Sequence, residues 1–247
     1  MYARGYYDDE IDDYYHSTAT NNGRIATRGD KSYGMYAKNG AIATNESDGT
    51  ITTHGDQAYG MYAKGYESSI TNKGFIETRG DDTPIGDKAY GMYAKNGAIA
   101  TNESEGTNSK SEEEAHGMYA EGYYYDGDYD DDGDVNYRST VTNNGRIVTR
   151  GNYASGMEAW DIATAINNGS IVTRGDYASG MLAGYDSTAT NESGDAITTH
   201  GTKRRMACML MITQPSRTTA ALQLGLIRLT VCMSRMNPHS RTRAMVQ

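Results

Sequence analysis

Alternating aspartates between residues 122 and 138 are the side chains in this sequence best suited to bind a metal ion. Every second residue is an oxygen donor: Asp126, Asp128, Asp130, Asp132, Asp134 and Asn136. Such a run can wrap a calcium ion, and Gly133 would supply the turn. Position twelve of the loop is Ser139, where a glutamate normally completes the coordination. The spacing predicts a calcium site, and calcium is the one cofactor suggested. A solvated acidic loop is the alternative.

The integrin-recognition tripeptide Arg-Gly-Asp occurs three times. Its charged residues are Arg28 and Asp30, Arg79 and Asp81, and Arg174 and Asp176. Each copy lies at the same predicted junction between a strand and a turn, and His54-Gly55-Asp56 fills that place without the arginine. Aspartate and glycine are ordinary turn residues. Ligand recognition and turn formation are therefore both hypotheses for these positions.

Tyrosines recur at one position of a repeated Tyr-Gly-Met-Tyr-Ala segment. The copies are Tyr36, Tyr62, Tyr93 and Tyr119. If they point outwards, they form an aromatic ladder that could stack on sugar rings, as could Trp160. Packing of the rings on one another is the alternative.

Paired threonines such as Thr18 and Thr20 also recur, in the flat rows typical of ice-binding solenoids. Ile42 and Ser69 interrupt these rows, and strand propensity alone explains threonine there.

The histidines do not suggest an active site. His16, His54, His116 and His200 lack metal-ligand spacing, and the sequence contains no evident Ser–His–Asp arrangement or phosphate loop. A carbohydrate-active enzyme resembling a polysaccharide lyase would use surface Asp, Arg and Lys. Here those residues form regular columns, so we expect no enzyme and keep the lyase as the alternative.

Charge is distributed unevenly along the 247 residues. Before Thr202 there are 15 Lys and Arg against all 32 Asp and Glu, a net charge of −17. Nucleic-acid binding needs basic surface to displace counterions, so the acidic part argues against nucleic acid as a partner.

The elements that position these residues are short strands in a repeat. Successive Gly-Met pairs lie about 24 to 39 residues apart, which is typical of a solenoid. Each repeat has three strand segments, exemplified by Thr18–Asn21, Gly23–Asp30 and Tyr59–Ala63, bounded by glycine, asparagine and aspartate. The segments differ within a repeat but resemble their own copies in other repeats. This predicts an all-β, right-handed parallel β-helix of about seven coils over residues 1–201.

Alternation within the strands predicts which side chains are internal. Ile25 begins a column of isoleucines on the inner face, and Asn21 begins a column of asparagines that can form an internal hydrogen-bonded ladder. In the third strand the pattern places both Ala58 and Met61 inside, which predicts a bend or bulge at Gly60. Residues 105–114 lack the isoleucine and are predicted to be a weak coil or a loop.

Residues 202–247 lose the acids, tyrosines and turn signals of the repeat. Combining the third base of each codon with the first two of the next allows Tyr-Gly-Met-Tyr-Ala across Arg205–Met211, and again permits repeat sequence farther on. We therefore interpret this segment as a frameshifted tail, disordered or irregularly docked. Cys208 and Cys232 then carry no redox or metal information. The solenoid ends are predicted to be uncapped, with edge-to-edge self-association as a consequence.

The repeat resembles the β-helix passenger regions of bacterial autotransporters and related large surface adhesins. The resemblance rests on Asn21–Asp30 and on the Ala58–Ala63 segment, and it covers residues 1–201. It implies a structural or adhesive module at the cell surface or outside the cell, presenting loops to a host surface or glycan. Such families carry a secretion signal and a C-terminal membrane β-barrel. Neither is recognisable here, so we interpret the chain as a fragment whose membrane contact would be through the missing barrel.

Overall fold

The computed structural model describes residues 1–8, 10, 13–80, 89–103, 107–110, 115–125, 135–192, 196–201 and 206–211. Within these ranges the secondary-structure elements are 26 β-strands. Three sheets are parallel throughout, and two small antiparallel pairs project from them. No helix capable of crossing a bilayer occurs in the described ranges.

The first sheet, here called the tyrosine sheet, has eight strands. They are β1 (Tyr2–Arg4), β6 (Tyr33–Lys38), β9 (Tyr59–Lys64), β12 (Tyr90–Lys95), β15 (His116–Glu121), β20 (Met157–Trp160), β23 (Ser179–Gly184) and β26 (Met206–Met211).

The asparagine sheet has seven strands. They are β4 (Thr18–Asn21), β7 (Ile42–Asn45), β10 (Ser69–Asn72), β13 (Ile99–Asn102), β18 (Thr140–Asn143), β21 (Thr164–Asn167) and β24 (Thr188–Asn191).

The isoleucine sheet also has seven strands. They are β5 (Arg24–Arg28), β8 (Thr50–His54), β11 (Phe75–Arg79), β14 (Thr107–Lys110), β19 (Arg146–Thr149), β22 (Ser170–Arg174) and β25 (Ile197–His200). The chain visits the asparagine, isoleucine and tyrosine sheets in turn, so β4 to β26 form seven coils with six turns from first to last. The predicted all-β parallel solenoid is confirmed.

Identical side chains stack because the parallel registers align the copies of the repeat. Ile51 is opposite Ile76, and Met61 is opposite Met92. In these columns Ile51, Ile76, Ile147 and Ile171 and the methionines from Met35 to Met181 are fully buried, Ile25 and Ile197 at the two ends are partly buried, and alanines fill the space between the columns. The core therefore consists mainly of isoleucine, methionine and alanine.

The asparagine ladder forms as predicted. In each step, Nδ2 of one asparagine donates to Oδ1 of its equivalent in the next coil. The six steps from Asn21 to Asn191 measure 2.7, 2.8, 2.9, 2.8, 2.7 and 2.6 Å. Buried amides need such partners, and here each coil supplies one to the next.

Gly60 breaks the two-residue alternation, but its main role is steric. A Cβ there would lie 2.5 Å from the carbonyl oxygen of Gly91 and 2.4 Å from Ile76 Cγ2. Tyr59 and Met61 pair with the next coil on either side of the glycine. Glycine is needed because neighbouring backbones approach closely at this position.

Two departures from the repeat still pair in register. Strand β14 in the degenerate coil lies between β11 and β19, with Asn108 opposite Ile76 and Ile147. Strand β26 lies beyond Gly201, in the segment assigned to the tail, and places Cys208 opposite Met181 in the tyrosine sheet.

The antiparallel pairs are hairpins inserted where the chain leaves the tyrosine sheet. The first comprises β2 (Tyr6–Asp8) and β3 (Asp13–Tyr15), and the second comprises β16 (Tyr123–Tyr125) and β17 (Val135–Tyr137). The turn joining the tyrosine sheet to the asparagine sheet therefore carries both hairpins.

Candidate functional site

The outer face of the tyrosine sheet carries a continuous tyrosine array. One column contains Tyr2, Tyr36, Tyr62, Tyr93 and Tyr119, with successive ring centroids 5.2, 4.9, 5.0 and 5.0 Å apart. A second column contains Tyr33, Tyr59 and Tyr90, with spacings of 5.0 and 5.6 Å. The columns also contact each other, as between Tyr90 and Tyr93 at 5.1 Å.

The ladder predicted for Tyr36, Tyr62, Tyr93 and Tyr119 thus exists on the outer face, but its rings pack on one another. Tyr62 and Tyr93 are only 8% and 6% exposed, and Tyr90 is 4% exposed. Burial raises the pKa of Tyr59 to about 12, with smaller effects from Tyr33 and Glu121. The faces of the central rings are occupied by neighbouring rings, so this part of the array stabilises the sheet.

A buried His–Glu pair interrupts the tyrosine columns. His116 occupies the position of Tyr90 one coil later, and Glu158 occupies that of Tyr119. Their Nδ1 and Oε1 atoms are 2.9 Å apart, and His116 stacks on Tyr90 at 5.5 Å. Sequence reasoning missed the pair because it searched for spacing along the chain. The available signal was that both residues depart from a tyrosine column in adjacent coils.

Glu158 is held as a carboxylate. Burial acts to raise its pKa, but the charge of His116 and hydrogen bonds from His116, Ser155 and Trp160 outweigh burial and leave the pKa below its ordinary value. The indole Nε1–H of Trp160 donates to Glu158 Oε2 at 3.0 Å. Glu158 therefore joins the buried His116 to a tryptophan at the edge of the sheet.

Trp160 and Tyr185 form an angled aromatic surface, here called the aromatic corner. Their ring centroids are 5.3 Å apart and their planes meet at 45°. The benzo ring of Trp160 covers Gly184, where a Cβ would lie 2.6 Å from Cζ3. Tyr185 is 49% exposed. Because position 184 has no side chain, the indole can pack directly against the backbone there.

Charged groups lie beside the aromatic corner. Glu121 is opposite Trp160 in the strand register, and its Oε1 lies 2.7 Å from Lys95 Nζ. Tyr93 donates its hydroxyl to Glu121 Oε2. Asp161 is exposed at the following turn, and its pKa is raised by partial burial and by Glu121, against an opposing effect of Lys95.

Exposed tyrosines follow the same turn along the solenoid, here called the display edge. Its members Tyr6, Tyr15, Tyr66, Tyr123 and Tyr185 are 66%, 58%, 54%, 46% and 49% exposed. Tyr66 meets Tyr137 of the second hairpin edge-to-face at 6.3 Å, and a Cβ at Gly97 would lie 3.4 Å from Tyr66 Cδ2 and 3.5 Å from Tyr137 Cβ. Tyrosines on the face of the sheet are therefore largely buried, whereas those along the display edge are exposed.

The Arg-Gly-Asp copies lie at strand ends, as the repeat predicted. Arg28, Arg79 and Arg174 end β5, β11 and β22 and are exposed. Asp30 Oδ1 accepts the backbone N–H of Asp56 in the next coil at 3.2 Å.

The corresponding turn of a later coil has the same contact, from the N–H of Asp176 to Asn152 Oδ1 at 2.9 Å. Asp81 lies outside the described residues. The aspartate and asparagine side chains of these turns thus link successive coils.

The calcium prediction falls mostly on residues that the structure does not describe. Asp128, Asp130, Asp132 and Asp134 lie outside the described residues, and Asn136 is exposed on β17 of the second hairpin. Within the described ranges, no three His, Cys, Asp or Glu side chains are grouped so as to hold a metal ion.

Fold and surface together define a parallel β-solenoid repeat protein. Residues 1–106, somewhat less than half of the chain, match the family described as the BigA third pectate lyase-like domain, a domain of bacterial surface proteins. Comparisons with curated proteins and with solved structures gave no match. The aromatic corner and most of its supporting residues lie beyond the matched region.

Proposed function

We propose that this chain is a non-catalytic adhesive module of a bacterial cell surface. Its solenoid acts as a rod, and its display edge contacts a host surface through glycans. The match of residues 1–106 to a domain of bacterial surface proteins supports the location. The acidic body, with a net charge of −17 before Thr202, disfavours nucleic acid as the partner.

The proposal rests on one observation: the repeat varies on one side of the solenoid, at the display edge. The three parallel sheets keep their register through all described coils, whereas both hairpins emerge from the display edge. A rigid scaffold with variable connections on one side is the usual arrangement of a binding protein.

Tyrosine is well suited to such contacts. It provides a large, rigid, amphipathic surface at low entropic cost, because only two side-chain torsions need to be fixed. On the display edge Tyr6, Tyr15 and Tyr66 are each more than half exposed. A single exposed aromatic residue is common on protein surfaces, but a row of them along one edge favours an interaction surface.

The pairing of the charged groups supports a non-catalytic role. Glu121 is engaged by Lys95 and Tyr93, and Glu158 by His116 and Trp160. A general acid or base needs a proton-transfer position open to substrate. These carboxylates instead fix neighbouring side chains.

The test combines binding and turnover on the same ligands. The full chain is applied to a glycan array and to host cells, and bound glycans are assayed for release of reducing or unsaturated sugar ends. We expect saturable binding without release. Substitution Tyr66→Ala should weaken binding, whereas Tyr153→Ala, at an exposed tyrosine away from the display edge, should not. Sugar release, or equal binding by both variants, would refute the proposal.

Calcium is included as a variable because Asp128, Asp130 and Asp132 have calcium-loop spacing. We propose that the ion, if bound, orders the second hairpin. Chelation should then lower the melting temperature and weaken binding together. An unchanged melting temperature after chelation would eliminate calcium as a structural cofactor.

A further inference from the structure

We propose that the aromatic corner is a subsite for an uncharged pyranose ring. Its platform is formed by Trp160 and Tyr185, and its polar contacts are Lys95, Glu121 and Asp161. This inference rests on the proposed function in that it names a ligand class and a location for the glycan contact.

The platform is preorganised by buried groups. Glu158 is 6% exposed and His116 is 7% exposed, and their contact at 2.9 Å fixes the carboxylate that accepts the indole N–H at 3.0 Å. Gly184 supports the other part of the ring. A side chain held in its bound orientation loses little entropy on binding, which favours affinity.

The positions of His116 and Trp160 show that the groups around the indole replace residues of the ordinary repeat. A tyrosine occupies the equivalent of His116 in three preceding coils, at Tyr33, Tyr59 and Tyr90. The equivalent of Trp160 is Glu121 in the preceding coil, and Lys95, Lys64 and Lys38 in the coils before it. This change buries two ionisable groups, which costs free energy. Tyrosine at both positions would instead have extended the array. Burial of charge is costly unless it is paired, so a specific role for the indole is the simplest physical reason.

Polar groups beside the platform match sugar hydroxyls. The paired Lys95 and Glu121 present donors and acceptors 2.7 Å apart, and a hydroxyl can act as both donor and acceptor. The apolar face of a pyranose can lie on an aromatic ring while its hydroxyls reach charged groups at the rim, as in other small-molecule sites.

The charged groups around the corner are already paired, which favours an uncharged sugar. Lys95 pairs with Glu121 and His116 with Glu158, and Arg138 donates to the Ile162 carbonyl at 3.5 Å beside the exposed Asp161. A polyuronate such as pectate would have to compete with these carboxylates for the basic groups, so it should bind poorly. The expected ligand therefore differs from the one in the name of the matched family.

Trp160 is the only tryptophan in the chain, so its fluorescence reports on this site alone. The full chain is titrated with neutral hexose oligomers, with an oligogalacturonate of equal length, and with choline as a cationic probe. We expect a saturable change in emission with at least one neutral oligomer and none with the other two. A response only to oligogalacturonate, or to choline, would overturn the proposal, the latter by indicating a cation–π site.

Variants locate the binding by calorimetry. Tyr185→Ala should lower the affinity for the neutral oligomer by about tenfold, equivalent to about 1.4 kcal/mol, and Trp160→Ala should abolish binding. The matched control is Tyr177→Ala. Tyr177 is 41% exposed, and both tyrosines have left-handed backbone angles, with φ of 59° and 51°. Equal affinities for Tyr185→Ala and Tyr177→Ala would refute the subsite.

The outcomes also separate this inference from the proposed function. Glycan or cell binding by the full chain that leaves Trp160 emission unchanged and survives Trp160→Ala would refute the aromatic corner and leave the adhesive module standing. Absence of binding to every glycan and cell would refute both.

Discussion

Replacing one asparagine of the internal ladder should destabilise the solenoid more in its middle than at its end. Asn143 is fully buried and makes two ladder bonds, accepting from Asn102 at 2.8 Å and donating to Asn167 at 2.7 Å. Asn21 makes one ladder bond, to Asn45 at 2.7 Å. The two asparagines can be compared because their local turns match.

In each turn the side chain contacts the glycine two residues later. Asn143 Nδ2 donates to the Gly145 carbonyl at 3.3 Å, and the Gly145 N–H donates to Oδ1 at 3.3 Å. For Asn21 and Gly23 the corresponding distances are 3.1 and 3.3 Å. Alanine removes these turn bonds in both variants, so their contributions nearly cancel.

The magnitude follows from the buried groups that lose a ladder partner. Each such loss costs about 1–3 kcal/mol, so Asn143→Ala should lower the free energy of unfolding by about 2–6 kcal/mol through the ladder. Asn21→Ala should lose about half of that amount through its single ladder bond. Asn168→Ala, at an exposed position, should change stability by less than about 0.5 kcal/mol.

Urea denaturation followed by circular dichroism measures these differences, provided that the slope with urea is the same in all variants. Equal destabilisation by Asn143→Ala and Asn21→Ala would refute the claim that inter-coil amide bonds stabilise the interior. The outcome would instead assign the asparagines to local turn formation.

Three further predictions concern the side-chain columns and the C-terminal segment. Asn108→Ile should raise the melting temperature, because the register places Asn108 between Ile76 and Ile147; a lower melting temperature would contradict this placement. Tyr59→Phe should reduce the loss of stability at high pH: the folded pKa of about 12 lies above the ordinary 10, so stability present below pH 10 is lost as the pH rises through the folded value. An equal alkaline loss in the variant and the parent would contradict that origin. Sequencing the gene should show one base missing near the Gly201 codon, and restoring it should extend the repeat and raise the melting temperature; an intact reading frame would refute the frameshift.

The repeat could be predicted from the sequence because each strand resembles its own copies. The Ile25, Met61 and Asn21 columns each repeat one residue type in almost every coil, and parallel stacking is the simplest way to bring like onto like. The hairpins could be anticipated only as insertions, since their antiparallel pairing depends on tyrosine and aspartate segments that have no equivalent in other coils.

The candidate site was harder to predict because it depends on exceptions. Glu158 and Trp160 are two residues apart, but His116 is brought to them by a turn of the solenoid that includes the second hairpin. Sequence spacing gave no reason to join them. The tyrosines were placed correctly on the outer face, but their mutual burial follows from the contact between two columns, which strand alternation alone did not predict.

Under the proposed function the solenoid binds a glycan and leaves it intact. The full chain is therefore incubated with its best-bound neutral oligosaccharide, with affinity taken from Trp160 emission and intact ligand measured by chromatography over many binding lifetimes. We expect saturable binding and full recovery of the oligosaccharide. Cleaved product that grows with time and with protein concentration would contradict it.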